Sequence, residues 1–545
     1  MPRSDILTLV VYFITLLALA YPLGHVIASV LSGNVPKFLI FLKPLERIGV
    51  RLSGIDPAID QKAKSYLKDL LLFNLIGLLF LFALLLFQSP SLSWDLAFNT
   101  AASFVTNTNW QAYSGESALT NLSQMLGLGV QNFLSASTGL ALVAVMARGL
   151  SRKMDSRVGN FGMDLIRSCV YILLPLSLIV ALILVSQGVV QTFHDNAFAL
   201  TLEGQTQTIP LGPAASQVAI KQLGTNGGGF FGTNSAHPFE NPTPFSNFIQ
   251  VLLILLLPVS QVFAFGKLLS RPREGHALLG TMFLIFLPLL FVGLWSEHSF
   301  GTLEGKEMRL GITESVLWGV STTAASNGSV NAMLSSFSPI SGLVFIFQML
   351  AGEVIFGGVG SGLYGIGLYA IITLFLAGLM VGRSPEWLGK KIEAYEVRLA
   401  LIALLVPCAF ILIGLCVALI MPWGLTSLTH AGPHGLSEML YGFASTVGNN
   451  GSAFGSLNAN TKMLNVIFGI CMIVGRFVVI IPVVLIAGSL SGKKSIPPSS
   501  GTFPTDSWLF VTLLAGVILI FGALTFFPVL ALGPIAEHFI MLRGF

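Results

Sequence analysis

Ten stretches of this 545-residue chain are apolar for long enough to cross a lipid bilayer: 6–30, 66–87, 124–147, 165–190, 245–265, 277–295, 340–381, 399–421, 463–490 and 508–532. The bilayer core holds no water to satisfy backbone N–H and C=O groups, so runs of this length must cross as helices rather than as barrel strands. Charge is scarce to match. Only 10% of the residues are Asp, Glu, Lys or Arg, against roughly 25% in a soluble domain, which excludes cytosolic enzymes, disordered tails and secreted disulfide scaffolds. Cys169, Cys408, Cys416 and Cys471 lie inside apolar runs with no second Cys or His at metal-ligand spacing, and read as small buried hydrophobes. The first run is long enough to span and has no clear small-residue cleavage site, so it is not expected to be a cleaved signal.

The placement of Lys and Arg orients the spans. Of 28 basic residues, 21 fall in alternate connections, at 31–68, 148–167, 267–273, 383–398 and 493–494, six lie in the other loops or near the termini, and Arg476 lies within a span. The basic set is expected in the cytoplasm, which leaves both termini outside. The same parity settles the run 340–381. As one helix it would be about 63 Å long, twice the ~30 Å hydrocarbon core. Seven glycines crowd its middle, Gly352–Gly367. Residues near 309 fall outside and residues near 383 inside, so the expectation is one crossing broken by a glycine-rich loop.

Four outer connections share one pattern: Trp94–Asn109, Pro213–Gly227, Thr313–Gly328 and Ser437–Gly451. Each reads as a short helix of about 10 residues, too short to span, then a small or polar residue, Asn and mostly Gly. Three begin with an acid (Asp95, Glu314, Glu438) and one with Pro213, both suited to a helix N-terminus. The expected fold is therefore an all-α polytopic membrane protein. Four pseudo-repeats of span, re-entrant helix, filter turn and span surround a central ion path, with one extra span at each end. The boundaries are 1–60 for the extra N-terminal span and its loop, 61–150, 151–275, 276–390 with a broken second helix, 391–495, and 496–545 for the last span.

This pattern suits cation chemistry. A re-entrant helix starting outside points its partially negative C-terminal end into the membrane. Gly and Asn tolerate irregular backbone, and irregular backbone at that depth survives only where it is buried or lines a watery path. A ring of carbonyls can then replace the hydration shell of a monovalent cation. The turns carry no carboxylate of the kind calcium prefers.

The turns resemble a known family. Thr106–Glu116 (TNTNWQAYSGE), Thr225–Pro242 (TNGGGFFGTNSAHPFENP), Ser326–Asn331 (SNGSVN) and Val447–Phe454 (VGNNGSAF) are similar to the four filters of the potassium-binding A subunits of bacterial Kdp pumps, in the superfamily of potassium transporters. The resemblance covers essentially the whole chain. It implies K+ filter positions at Asn107, Thr108, Asn109, Thr225, Asn226, Gly227, Ser326, Asn327, Gly328, Asn449, Asn450 and Gly451, with Gln111 as a tuning position. It also implies a P-type ATPase catalytic subunit and two smaller subunits as partners in the bacterial inner membrane. Membrane lipids surround such a chain, and no nucleic acid is expected. The chain has no phosphate-binding G-x-x-x-x-G-K-[ST] loop, since Gly488–Lys494 is one residue short and lacks the hydroxyl. It has no phosphorylatable D-K-T-G run either, so no nucleotide is expected on it. The alternative reading is a Trk- or Ktr-like transporter driven by a gradient without a P-type partner.

Two features beneath the turns are read as a gate. The glycine-rich interruption, with Glu353, Gly358 and Gly360, is expected to line a cavity; the alternative is a glycine-mediated helix contact. Arg476 sits too deep in 463–490 to reach either surface. It is expected below the fourth turn as a positive barrier to an ion leaving along the axis, and the family resemblance implies an arginine at this place. The alternative is a salt bridge, with Glu353 as the partner.

Overall fold

A computed structural model describes residues 3–194, 196–382, 384–497 and 502–543; Arg383, counted above with the basic loops, lies outside the described residues. Among the described residues, ten helices are long and apolar enough to cross a membrane, and they fall on the ten expected runs. The first is α1, Arg3–Leu31. The connection after it, expected as loop, carries a further helix, α2, Lys43–Ser53.

The first repeat is α3 (Ala63–Phe87), the re-entrant α4 (Trp94–Val105) and α5 (Ser123–Ser151). The second is α6 (Phe161–Ser186), α7 (Ala214–Leu223) and α8 (Pro244–Leu268). The third is α9 (Pro272–Phe300), α10 (Gly311–Ala324), α11 (Pro339–Leu350) and α12 (Ser361–Val381). The fourth is α13 (Ala394–Ile420), α14 (Gly432–Gly448) and α15 (Lys462–Gly492), and α16 (Trp508–Leu542) closes the chain.

Where the chain turns into a span, side chains satisfy the free N–H groups of the first turn. Asn160 accepts from Met163 N before α6, Thr243 and Ser246 form a capping box at α8, and Thr461 and Ser507 cap α15 and α16. The second span of each repeat faces the centre. In the most apolar stretches of α5 and α8, 83% of residues are buried, and 67% in α12, against 22% in α3 and 28% in α13. The extra spans lie outside. α1 packs along α8 at Gly24, where a Cβ would sit 2.6 Å from the Ser260 carbonyl, and α16 packs on α9.

Two expectations need correction, and the mainly helical fold carries one small addition. The fourth re-entrant helix does not start at Ser437. Pro433, near the helix start with φ preset for it, lets α14 begin at Gly432, so Glu438 lies inside the helix and accepts from Thr429 N and Oγ1 at 3.3 and 3.0 Å. The break in the third repeat covers only residues 351–360, and Gly362, Gly365 and Gly367 are helical. These three are contact points, since a Cβ on Gly367 would run into the Met146 methyl and one on Gly365 would lie 2.9 Å from Val354 Cγ1. The fold is also not wholly helical: Asn196–Leu200 and Thr206–Pro210 pair as an antiparallel hairpin between α6 and α7.

Candidate functional site

The re-entrant helices α4, α7, α10 and α14 end in three-residue turns with one backbone signature. The first and third residues are left-handed in every turn: Asn107 and Asn109 (φ 66° and 56°), Thr225 and Gly227 (50° and 83°), Ser326 and Gly328 (50° and 88°), Asn449 and Gly451 (58° and 96°). The middle residues, Thr108, Asn226, Asn327 and Asn450, have negative φ. Alternating handedness turns successive carbonyls toward one side and successive N–H groups toward the other. The N–H groups return to the parent helix: Thr108 N donates to Ser103 O at 2.9 Å, Asn226 N to Lys221 O at 2.9 Å, Asn327 N to Thr322 O at 3.1 Å and Asn450 N to Ser445 O at 2.8 Å. Each acceptor lies five residues before its donor. Helix-end carbonyls that would otherwise lack partners are thereby satisfied. Left-handed backbone costs an ordinary residue roughly 1–2 kcal/mol; Gly and Asn lighten that cost at six of the eight places, while Ser326 and the β-branched Thr225 bear it.

The turns meet edge to edge. A Cβ on Gly227 would overlap the Asn327 carbonyl oxygen, one on Gly328 that of Asn450, and one on Gly451 that of Thr108. The fourth junction differs. Asn109 stands where the other turns have glycine, and its Nδ2 donates to Asn132 Oδ1 of α5 at 2.7 Å. Side chains stitch neighbouring turns together. Asn107 Nδ2 donates to Thr225 O, Ser326 Oγ to Asn449 O and Asn449 Nδ2 to Thr108 Oγ1, all at 2.9 Å. Gln111 lies just past the first turn and latches it to the stretch after the second, donating to Gly229 O at 3.1 Å and accepting from Gly229 N at 2.9 Å.

Several supports were not singled out from the sequence. Ser135 Oγ of α5 donates to Asn107 Oδ1 at 2.7 Å, and Asn226 Nδ2 donates to Ser135 Oγ at 3.1 Å. Behind the second turn, Lys221 forms a fully buried ion pair with Glu240 and donates to Asn234 Oδ1 at 2.8 Å; Asn234 Nδ2 in turn donates to Gly227 O at 2.7 Å. The signal for Asn132 and Ser135 is their polarity within an apolar span, where a side chain needs a partner.

The interruption 351–360 lies directly against the turns. Gly357 N donates to Ala324 O at 2.8 Å, and Val359 N to Thr225 Oγ1 at 2.9 Å. Gln261 of α8 clamps it, donating to Gly358 O at 3.2 Å and accepting from Gly360 N at 2.6 Å. Gly358 sits beside Thr225 Oγ1, which a Cβ would approach to 3.2 Å, whereas Gly360 is pressed against the Gly139 backbone of α5.

A cavity of about 90 Å³ opens beside these glycines, not between them. Its wall includes Glu353, Tyr364, Asn449 and Arg476, and it runs outward to Pro407 and Cys408 of α13 and Phe521 of α16. Gly358 and Gly360 do not line it, because Gln261 and Gly139 fill the space around them. The Glu353 carboxylate is buried without a hydrogen bond among the described residues, nearest in polar surroundings to Ser326 and Asn450. Arg476 is 5% exposed and holds only long contacts, to Tyr364 OH and Ser135 O, each at 3.4 Å. It lies one helical turn past Met472, whose carbonyl accepts from Asn449 Nδ2 at 2.9 Å. No carboxylate comes within ion-pair distance of it among the described residues, so the alternative of a Glu353–Arg476 salt bridge is not formed.

Known proteins place this architecture. Residues 10–539 match the family described as potassium-transporting ATPase A subunit. A potassium-transporting ATPase potassium-binding subunit from Pseudomonas aeruginosa is 51% identical over 99% of both chains. One from Leptospira interrogans is 54% identical over 94% of this chain and 95% of its own. Among solved structures, the potassium transporter TrkH from Vibrio parahaemolyticus superposes with a TM-score of 0.52 at 14% identity, covering 86% of this chain and 97% of its own. That last likeness is one of fold.

Proposed function

The chain belongs to the family of potassium-transporting ATPase A subunits, and from that premise we propose that its four turns are a K+ selectivity filter in the ion-selecting, non-hydrolytic subunit of an ATP-driven uptake complex. The observation that carries this reading is the left-handed backbone at the first and third position of every turn. Backbone of this kind lets turn carbonyls left free of side-chain donors face a shared axis, where neutral oxygens replace the hydration shell of a monovalent cation. The C-terminal ends of four re-entrant helices add partial negative charge there. Gln111 tunes the filter by fixing how the first turn sits against the second.

The basic loops lie in the cytoplasm of a bacterial cell whose inner membrane the chain spans, with both termini outside. K+ enters from outside. Below the filter, the 351–360 segment and the Arg476 guanidinium obstruct the straight path. The ion leaves sideways through the cavity between Glu353 and Arg476, toward the P-type catalytic subunit, which binds the nucleotide; two smaller subunits complete the assembly. A gradient-driven transporter on the Trk plan shares the fold, and the likeness to TrkH extends no further than that. The test is gentle purification of the chain from its native membrane. A copurifying ATPase with K+-stimulated hydrolysis is the expected result, and K+ transport by the chain with no ATPase subunit would overturn it.

A further inference from the structure

The connection after α1 builds a structure that ion selection does not use. α2 lies across the first turns of α6, close enough that a Cβ on Gly49 would be 3.5 Å from Ile166. It therefore sits at the level where α6 passes from the basic face into the membrane. Its two sides are chemically opposite. Leu45, Ile48 and Leu52 share one side and are 43%, 54% and 83% exposed; Phe38 and Phe41 just before it are 66% and 72% exposed. Lys43, Arg47 and Arg51, spaced four apart, share the other. A helix of this kind lies in the plane of a bilayer surface with its apolar side among the acyl chains.

Between α2, the turn after α1 and α6 is an open cavity of about 670 Å³. Lys43, Arg47, Arg51 and Arg167 line it, against one acid, Glu46, and its inner wall reaches Tyr171 within the span. Glu46 is already engaged: it accepts from Arg167 Nε at 3.1 Å and from Tyr171 OH at 2.6 Å. Lys43, Arg47 and Arg51 have no carboxylate within ion-pair distance among the described residues. Three uncommitted cations thus surround a cavity at headgroup depth, and its rim continues, through Ile40, onto exposed apolar side chains.

We infer that this cavity holds the phosphate of an anionic phospholipid, with the acyl chains lying over Phe38, Phe41 and Leu45. Charge complementarity supplies the headgroup contact, because cations at a membrane surface attract anionic lipid. The adjoining apolar side distinguishes a lipid from a free anion, which would leave it uncovered.

The test uses the full-length chain with every subunit that copurifies, delipidated in detergent. Native mass spectrometry follows adducts of added dioleoylphosphatidylglycerol, and hydrogen exchange follows residues 37–53 in nanodiscs of that lipid or of phosphatidylcholine. The native protein should retain a tightly held phosphatidylglycerol, with 37–53 protected in phosphatidylglycerol discs only. In R47Q/R51Q, two exposed substitutions, retention should fall about thirtyfold and the protection should be lost, while thermal unfolding stays unchanged. K62Q/K64Q, on the same face but outside the cavity, should behave as native. Inorganic phosphate should neither form an adduct nor protect the segment. Undiminished retention and protection in R47Q/R51Q would overturn the assignment. So would equal protection by inorganic phosphate, or loss of a copurifying subunit in place of lipid.

Discussion

The filter turns and the region just beneath them are separated by about one helical turn, yet they follow opposite rules. The turns are nearly fourfold: left-handed backbone at matching positions, an N–H acceptor five residues back in each, and glycine against a neighbouring carbonyl at three of four junctions. Beneath them no two repeats agree. The first supplies Ser135, the second Gln261, the third an unwound segment with Glu353, and the fourth Arg476. On the proposed reading, a spherical ion on an axis is best held by equivalent groups from all sides, which would constrain the four copies to stay alike. An exit in one direction would need an obstruction on the axis and an opening on one side, which symmetry forbids. The lone cavity wall of Glu353, Tyr364 and Arg476 is where the copies part.

The largest expected effect comes from breaking the symmetric half. Replacing Gly227 with Asp puts a Cβ and a charge against the Asn327 carbonyl at left-handed φ. Strain of this kind costs about 1–3 kcal/mol, so half-saturation of K+-stimulated ATP hydrolysis in the assembled complex should rise about ten- to hundredfold, with selectivity against larger monovalent ions relaxed. Unchanged affinity and selectivity would remove Gly227 from the filter. Gly328→Ala and Gly451→Ala should act alike, as the repeats demand.

Breaking the asymmetric half should leave affinity alone and alter coupling. Arg476→Ala removes a charge that no acid among the described residues neutralises. K+ should then leak into proteoliposomes without ATP, and uptake per ATP should fall several-fold while half-saturation by K+ moves little. A tight, fully coupled mutant would defeat the barrier reading. Glu353→Gln keeps the shape of a side chain that makes no hydrogen bond among the described residues, so the expected change is a two- to threefold shift in turnover, about 0.5 kcal/mol, again with affinity preserved. Flux and ATPase assays on the same preparation separate these effects.

Among changes to the turns themselves, the smallest effect sharpens the one place where they depart from fourfold symmetry. Asn132→Ala removes the acceptor that holds the Asn109 side chain. A hydrogen bond of this kind contributes about 1 kcal/mol, so K+ affinity should fall about fivefold. Gly→Ala at the other three junctions should cost more than this.

Most of the architecture was legible in one dimension. The ten spans, the single broken crossing at 340–381 and the four turns at 107–109, 225–227, 326–328 and 449–451 follow from apolar run length, from parity of Lys and Arg, and from a motif repeated at one topological position. These signals are local, because the bilayer imposes the same requirement on each span wherever its neighbours lie. The hairpin at 196–210 and the helix at 43–53 escaped that reading, since the first alternates weakly and the second is too short and too charged to register as a span.

Other features were settled only when the helices crossed. Glu353 and Arg476 are the deep charges of their spans, and sequence alone left open whether they pair; the packing of the 351–360 segment beside α15 sets both around one cavity without joining them. Gly358 and Gly360 read as equivalents two residues apart, yet Gln261 and Gly139 make one a neighbour of the turns and the other a packing point. The sequence by itself determined how many spans this chain has, which connections carry its charges, and which turns repeat, because hydration and backbone conformation act residue by residue. The tertiary structure alone decided which buried groups meet, because contacts between residues more than a hundred positions apart depend on the angles and heights at which helices pack.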